Sequence, residues 1–269
     1  MGLRVPFDVG DVFGHDGLLG FAVFYTGMTD TAPKRHGLAR VLSKLGLASR
    51  TQAAAWIAEG RVRVNGRVRR DPEFPVRMGV DAVAVAGEAA QRQQRRVLML
   101  NKPRGLVTTR NDEKQRATVY DCLPADMPWL APVGRLDKAS EGLLLFSNDP
   151  QWAARVTDPA TGPDKTYHVQ VDCRPDAALL AALQAGVDVP EGRLRAKRAQ
   201  LLRVGEKNAW LEIVLDEGRN RQIRRLLEAF DIAVLRLVRT AIGRLPLGEL
   251  PKGQWRELGA DEIALLDHA

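Results

Sequence analysis

The chain has 269 residues, 45% of them hydrophobic and 27% charged, a composition that suits a soluble globular protein of one large or two medium domains. Lysine and arginine exceed aspartate and glutamate by 40 to 33, a formal charge of +7 that favours a polyanionic partner. Two distant cysteines, Cys122 and Cys173, four scattered histidines and no apolar run of membrane-spanning length argue against a disulfide framework, a zinc site and a membrane partner, and predict a cytoplasmic protein.

Residues 1–35 are rich in Gly, Asp and Thr and lack sustained periodicity. The apolar patch Gly17 to Tyr25 follows Asp8, Asp11 and Asp16 against a single Arg4, the wrong charge for a secretory signal. Met28 is expected to be the native start, with 1–35 an extension that is disordered or foreign to the natural protein.

From His36 the pattern changes. Leu38, Val41, Leu42 and Leu45 follow helical spacing. Ser49 is placed to cap a second helix through Ala58, whose apolar face is read as Ala54, Trp56 and Ile57, and Gly60 ends it. In Arg61-Val62-Arg63-Val64, valines alternate with arginines, as on a strand with one apolar and one cationic face. Asn65-Gly66 predicts a tight hairpin, with Val68 on the return strand. Between Lys34 and Arg70 there are ten lysines and arginines and one acid, Glu59. Such a patch suits phosphate contacts, with Arg50, Arg61, Arg63 and Arg67 as candidates, although a solvated surface would carry the same charge.

Residues 87–95 are polar and charged and read as a flexible linker. Val97 to Leu100 reads as a strand feeding Asn101-Lys102-Pro103-Arg104-Gly105, which puts a cation on a tight turn, and Leu106 to Thr109 resumes the strand. Gly134-Arg135-Leu136-Asp137 then forms a loop ahead of Leu143 to Phe146, a buried strand. Asp137 sits on a loop anchored by that strand, a common place for chemistry, but a turn or a surface ion pair requires the same residues. Beyond it, Lys165 to Val171 alternates as a strand with Tyr167 on its apolar face, and Pro175 to Ala185 is an amphipathic helix. Trp210 to Leu215 is a strand. Ile223, Leu226, Leu227 and Phe230 bury one face of a later helix, which leaves Arg221, Arg224 and Arg225 off that face. Cations at a helix N-terminus oppose its macrodipole, so these arginines are expected to meet carboxylates or phosphates. Ile232 to Leu237 and Arg239 to Gly243 read as a strand and a turn. Hairpins with intervening helices predict an α+β domain with a largely antiparallel sheet. Neither a phosphate-binding loop nor a dinucleotide fingerprint occurs, so no nucleotide cofactor is expected and a cofactor-dependent RNA methyltransferase is disfavoured.

Two resemblances join these pieces. The first module, with Gly-Leu-Ala-Ser-Arg, Glu-Gly-Arg-Val and Val-Asn-Gly, resembles the S4 RNA-binding domain over residues 36–86. Residues 96–258, in a domain read as 96–269, resemble the catalytic domain of pseudouridine synthases, in the branch that modifies ribosomal RNA and carries an N-terminal S4 domain. That rests on Asn-Lys-Pro-Arg-Gly, Gly-Arg-Leu-Asp-x-x-Ser-x-Gly-Leu-Leu, Lys-x-Tyr, Glu-Gly-Arg-Asn-Arg-Gln-Ile-Arg-Arg and Lys-Gly-Gln-Trp-Arg-Glu-Leu. The resemblance implies conversion of a uridine in ribosomal RNA, more readily of the large subunit, to pseudouridine, with no cofactor or metal. It implies Asp137 as the catalytic carboxylate, Arg135 as the residue entering the RNA stack, Tyr167 as the base-stacking aromatic and Arg224 as the partner of Asp137. Lys165 would be a further site residue and Leu226 an apolar wall. A ribosome-assembly intermediate is an equivalent substrate, and a monomer is expected. A catalytically silent RNA-binding protein is the competing reading, and it does not need Asp137.

Overall fold

The computed structural model describes residues 34–110, 112–190 and 192–267; the expected start at Met28 and residues 1–33 of the expected extension lie outside them, whereas Arg35, also assigned to the extension, belongs to the first strand. In the first module β1 (Arg35–Gly37) leads into α1 (Leu38–Lys44) and α2 (Arg50–Ala58). The Ser49 hydroxyl accepts from Gln52 N–H at 3.0 Å, which caps α2 as the sequence predicts. The strands β2 (Val62–Val64), β3 (Arg67–Val68), β4 (Pro75–Arg77), β5 (Val83–Val85) and β6 (Glu88–Ala89) follow. Asn65 and Gly66 both take positive φ, 51° and 76°, and so close the β2–β3 hairpin with a turn whose twist matches its strands. Val62 and Val64 point into a core with Leu38, Leu42, Ala53 and Ile57, while Arg61, Arg63 and Arg67 are exposed. Ala53, not Ala54, fills the centre of α2, and Trp56 is left half-buried with Arg61 5.2 Å from its ring.

The expected linker is more ordered than its composition suggests. Its first residues form β6 against β5. Gln93 N–H donates to Leu45 O at 2.9 Å, and Asn148 binds Arg96 N–H and Gln94 O. Backbone groups of a polar segment that are satisfied by fixed partners cost less to order, so polarity alone does not make a segment flexible.

The second unit of secondary structure contains β7 (Val97–Lys102), a short 3-10 turn (Val119–Cys122), β8 (Ala131–Val133), β9 (Glu141–Ser147) and α3 (Pro150–Thr157). Then come β10 (Lys165–Val171), α4 (Ala177–Ala185), β11 (Val187–Val189), β12 (Gly192–Leu194), β13 (Arg198–Val204) and β14 (Ala209–Leu215). The chain continues through α5 (Gln222–Glu228), β15 (Val234–Ile242), β16 (Leu245–Pro246), β17 (Trp255–Glu257) and α6 (Ala260–Asp267). One sheet runs in the order β13-β14-β10-β15-β9-β7-β17, with β16 on β15 and β8 on β9. Its pairs are antiparallel except β15 with β9, so the α+β, largely antiparallel expectation holds.

Two cores lie on opposite faces. One face carries Leu98, Leu144, Phe146, Tyr167, Val169, Leu211 and Ile213 under Leu183 of α4 and Ile223, Leu226 and Leu227 of α5. The other carries Met99, Leu143 and Leu145 under Trp152 of α3 and Ile263 and Leu266 of α6. All seven residues of β9 are buried because both of its faces are covered. At roughly 1.5–3 kcal/mol per buried leucine, Leu143, Leu144 and Leu145 alone make β9 a rigid anchor.

Two segments differ from the sequence reading. Val234–Ile242 is one continuous strand of 9 residues, not a strand and a turn. Leu106 to Thr109 is not a strand beyond an isolated bridge between Val107 and Thr118. The reason is that the Thr108 side chain turns to the loop that bears Asp137.

Candidate active site

A cavity of about 670 Å³ opens beside that loop, a size typical of small-ligand sites. Arg135, Asp137, Lys165, Tyr167, Arg221 and Arg239 line it. Three elements deliver them: the turn after β8, the start of β10 beside β15, and the loop that enters α5.

The Asp137 loop has no regular structure of its own, yet every carbonyl from Leu136 to Ser140 has a donor. Thr108 Oγ1 donates to Leu136 O at 2.7 Å, and Gly105 N–H donates to Lys138 O at 2.7 Å. Lys102 Nζ donates to Asp137 O at 3.1 Å, to Ser140 O at 2.8 Å and to Pro103 O at 3.2 Å. From the other side Arg224 Nη2 donates to Ala139 O at 3.3 Å. A loop held this way presents its side chain at a defined place, which catalysis requires. Lys102 is completely buried, and burial pushes its pKa down to about 8 against the opposing pull of Asp137 and Glu141.

The strand after the loop is seated by a close approach. Gly142 has φ +99°, and a Cβ there would lie 2.3 Å from Arg239 O. Only glycine lets β9 and β15 run side by side at this point. Beside it, buried Glu141 accepts from Arg236 Nε and Nη2, each at 3.2 Å, and from Lys252 Nζ.

The Asp137 carboxylate is about one-third exposed (32%) and faces Arg221, whose Nη1 lies 3.9 Å from Oδ2. The expected partner, Arg224, instead serves the loop backbone, with a second bond from Nη1 to Val234 O at 3.3 Å. Burial, then Arg221, lowers the pKa of the Arg224 guanidinium, and Asp137 opposes this, so all three groups share one field. Arg221 takes a left-handed conformation, φ 49° and ψ 31°, at the N-cap of α5. It is therefore off the helical wheel, and helical spacing could not show where it points. Such a conformation costs a non-glycine residue about 1–2 kcal/mol.

Tyr167 and Lys165 share the buried face of β10, and Tyr167 pairs in register with Arg239 of β15. Lys165 and Arg239 are both buried. Burial, reinforced by Arg239, lowers the Lys165 pKa. Arg239 Nε donates to Leu143 O at 2.7 Å, while its Nη2 is buried without a hydrogen-bond partner among the described residues. An unpaired guanidinium nitrogen in a cavity wall is an unused anion or carbonyl donor. Arg135 is exposed at the cavity rim. Leu226 is fully buried in the core and does not reach the cavity; Ile223, one turn earlier, supplies the apolar wall.

Lys102, Thr108, Arg221 and Arg239 were not singled out as site residues from sequence. Arg239 left a signal, since it has the parity of buried Leu237 along β15. The role of Lys102 depends on contacts 35 and 38 residues away, which no local pattern carries. Arg50, Arg61, Arg63 and Arg67 belong to the first module and do not line the cavity. Among the described residues no group of three or more His, Cys, Asp or Glu could hold a metal ion, and no helix is long and apolar enough to cross a membrane.

The profile of the S4 domain matches residues 37–81 and that of RNA pseudouridylate synthase matches residues 96–229. A protein of Aquifex aeolicus named as an uncharacterized RNA pseudouridine synthase is 38% identical over 228 residues, covering 84% of this chain and 92% of its own. The ribosomal large subunit pseudouridine synthase B of Bacillus subtilis is 36% identical over 237 residues, covering 86% of this chain and 97% of its own. A crystal structure of a pseudouridylate synthase superposes with a TM-score of 0.61 at 28% identity, over 86% of this chain and 100% of that one. An S4 domain followed by this catalytic domain, with relatives matched over nearly their full length, places the chain in the RNA pseudouridylate synthase family.

Proposed function

We propose that the protein converts a specific uridine of ribosomal RNA, in the large subunit, to pseudouridine, acting as a monomer with Asp137 as the catalytic carboxylate. The observation that carries this reading is the presentation of Asp137: a partly exposed carboxylate in a cationic cavity, on a loop whose backbone is held from both sides. Relatives named as ribosomal large subunit pseudouridine synthase B support the substrate class and the subunit.

The chemistry asks for each part. A uridine within RNA structure must leave the stack before its glycosidic bond can be reached. Arg135, exposed at the rim, is suited to refill the gap with a planar guanidinium and to meet phosphate. Tyr167 offers its ring to the extruded base at the cavity floor. Arg221 keeps Asp137 company in the free protein, but a half-exposed pair at 3.9 Å is worth at most about 1 kcal/mol and is readily exchanged for an RNA phosphate. Arg239 and Lys165 supply buried positive charge where the uracil carbonyls or developing negative charge would sit. Asp137 then acts as nucleophile on the sugar or base, or removes a ribose proton, and the uracil rejoins the sugar through carbon. Reactant and product are isomers, so the net reaction consumes no water, oxidant or reductant.

The test is to map carbodiimide-resistant uridines in ribosomal RNA from a strain lacking the gene. One large-subunit position is expected to lose its modification and to regain it when the purified protein is added. An unchanged pattern would refute the assignment, and a lost small-subunit position would refute the choice of subunit.

A further inference from the structure

Four antiparallel strands, β13, β14, β10 and β15, form one end of the sheet. One of their faces bears the core under α4 and α5. On the opposite face, the cluster beneath α3 and α6 contains no residue of β10, β13 or β14, so among the described residues no helix covers that end. Cross-strand register places Arg203, Trp210, Gln170 and Arg236 in one rung across all four strands. The guanidinium carbons of Arg203 and Arg236 lie 5.0 and 5.5 Å from the Trp210 ring centroid. A groove of about 380 Å³ runs here, lined by His168, Leu202, Arg203, Trp210, Arg236 and Val238.

The charge is one-sided. Glu212, on the neighbouring rung, is engaged by Arg198 at 2.7 Å, Gln200 at 3.0 Å and His168 at 3.8 Å. Glu141 is shared by two cations, Arg236 and Lys252. Arg203 has no carboxylate partner among the described residues. Around an indole the face therefore presents Arg203, which has no carboxylate partner, and Arg236, which shares Glu141 with Lys252, with Leu202 and Val238 as the apolar side chains of the groove. A protein-docking face would be richer in apolar area, whereas an open antiparallel sheet that displays an aromatic ring, guanidinium planes and amide and imidazole edges has the chemistry that takes up unpaired bases.

We propose that this face is a second RNA-binding surface, which holds a single-stranded segment of the substrate away from the target uridine, with a base stacked on the Trp210–arginine layer and phosphates on Arg203 and Arg236. It rests on the reading of an RNA substrate given above, and its test is separable from that reading. The full-length protein is titrated with a fluorescein-labelled oligoadenylate of about 12 nucleotides, which offers no uridine to the cavity, and followed by anisotropy and hydrogen exchange. Trp210→Ala and the exposed edge-strand change Arg203→Gln are each expected to weaken binding about fivefold or more. Residues 200–212 and 234–238 should gain protection in the wild type. Both variants should keep the wild-type kcat on saturating ribosomal RNA, with a raised KM. Unchanged affinity in Arg203→Gln, protection confined to residues 34–70, or a doubled mass showing that a second copy occupies the face would each overturn the proposal. Absence of pseudouridine formation by the wild type would instead sink the functional reading, whatever the oligoadenylate does.

Discussion

Replacing Lys102 by Met keeps the length of the side chain and removes its three hydrogen bonds. Asp137 O retains the Ser140 N–H at 3.0 Å, but Ser140 O and Pro103 O each lose the ammonium. A buried carbonyl left without a donor costs about 1–3 kcal/mol, giving roughly 2–6 kcal/mol for the two. Part of this is returned, because a buried ammonium with no direct carboxylate contact is itself costly. A net loss of about 3 kcal/mol corresponds to a Tm lowered by roughly 6–12 °C in a domain of this size. The larger effect should fall on kcat, since Asp137 O and Ser140 O, at the two ends of the loop segment that bears the carboxylate, each lose the ammonium, and about tenfold or more is expected. The pH dependence adds a second readout. Burial places the folded pKa of Lys102 near 8, below its ordinary 10.5, so the unfolded chain binds the proton more tightly in that interval. The contribution of this group to stability therefore grows as pH rises from about 8 to 10.5. Meanwhile the neutral amine has one donor fewer for the loop, so kcat should fall above pH 8 as thermal stability gains from this group. Lys102→Met should lack that alkaline fall. Wild-type Tm and wild-type kcat in Lys102→Met, or an unaltered alkaline limb, would show that the loop does not depend on this clamp.

Further outcomes follow from the same geometry. Gly142→Ala should cost about 2–6 kcal/mol in a urea melt, from left-handed strain and a Cβ driven into Arg239 O, and a loss under 1 kcal/mol would contradict the close approach. Arg221→Gly should leave Tm within about 2 °C, because relief of its positive φ offsets the added chain entropy, while kcat/KM falls about tenfold; full activity would mean that Arg221 meets neither Asp137 nor phosphate. Changing Arg61, Arg63 and Arg67 together to Gln should flatten the dependence of log affinity on log salt by about 2–3, if each neutralises one phosphate. An unchanged slope would remove these three from the RNA interface.

Local physics was legible in the sequence. The Ser49 cap, the Asn65-Gly66 hairpin, the alternation of β10 and the apolar run of β9 each depend on neighbours within a few residues. The order of motifs was enough to single out Asp137 and Tyr167, and both line the cavity. What failed to show depended on distant partners. Arg239 interrupts the apolar pattern of β15, so one strand read as two pieces; its guanidinium is met by Leu143 O, 96 residues away, as Arg236 in the first piece is met by Glu141, 95 residues away. Spacing put Leu226 and Ile223 on one apolar face of α5, but which of them reaches the cavity depends on how the helix is rotated over the sheet. Arg224 was the expected partner of Asp137, but Arg221 faces that carboxylate because it stands at the cap, outside the helical register, while Arg224 binds Ala139 O and Val234 O.

In the function proposed, the Asp137 carboxylate performs the chemistry while the rest of the molecule brings RNA to it. Asp137→Asn preserves size and leaves the loop's carbonyl contacts in place, and it replaces the charge by an amide. Measured side by side with the wild type, this variant should bind ribosomal RNA within about twofold, because its affinity comes from the cationic surfaces, and should form no detectable pseudouridine, a fall in rate of at least about 10²-fold. Pseudouridine formation at the wild-type rate in Asp137→Asn would contradict the account.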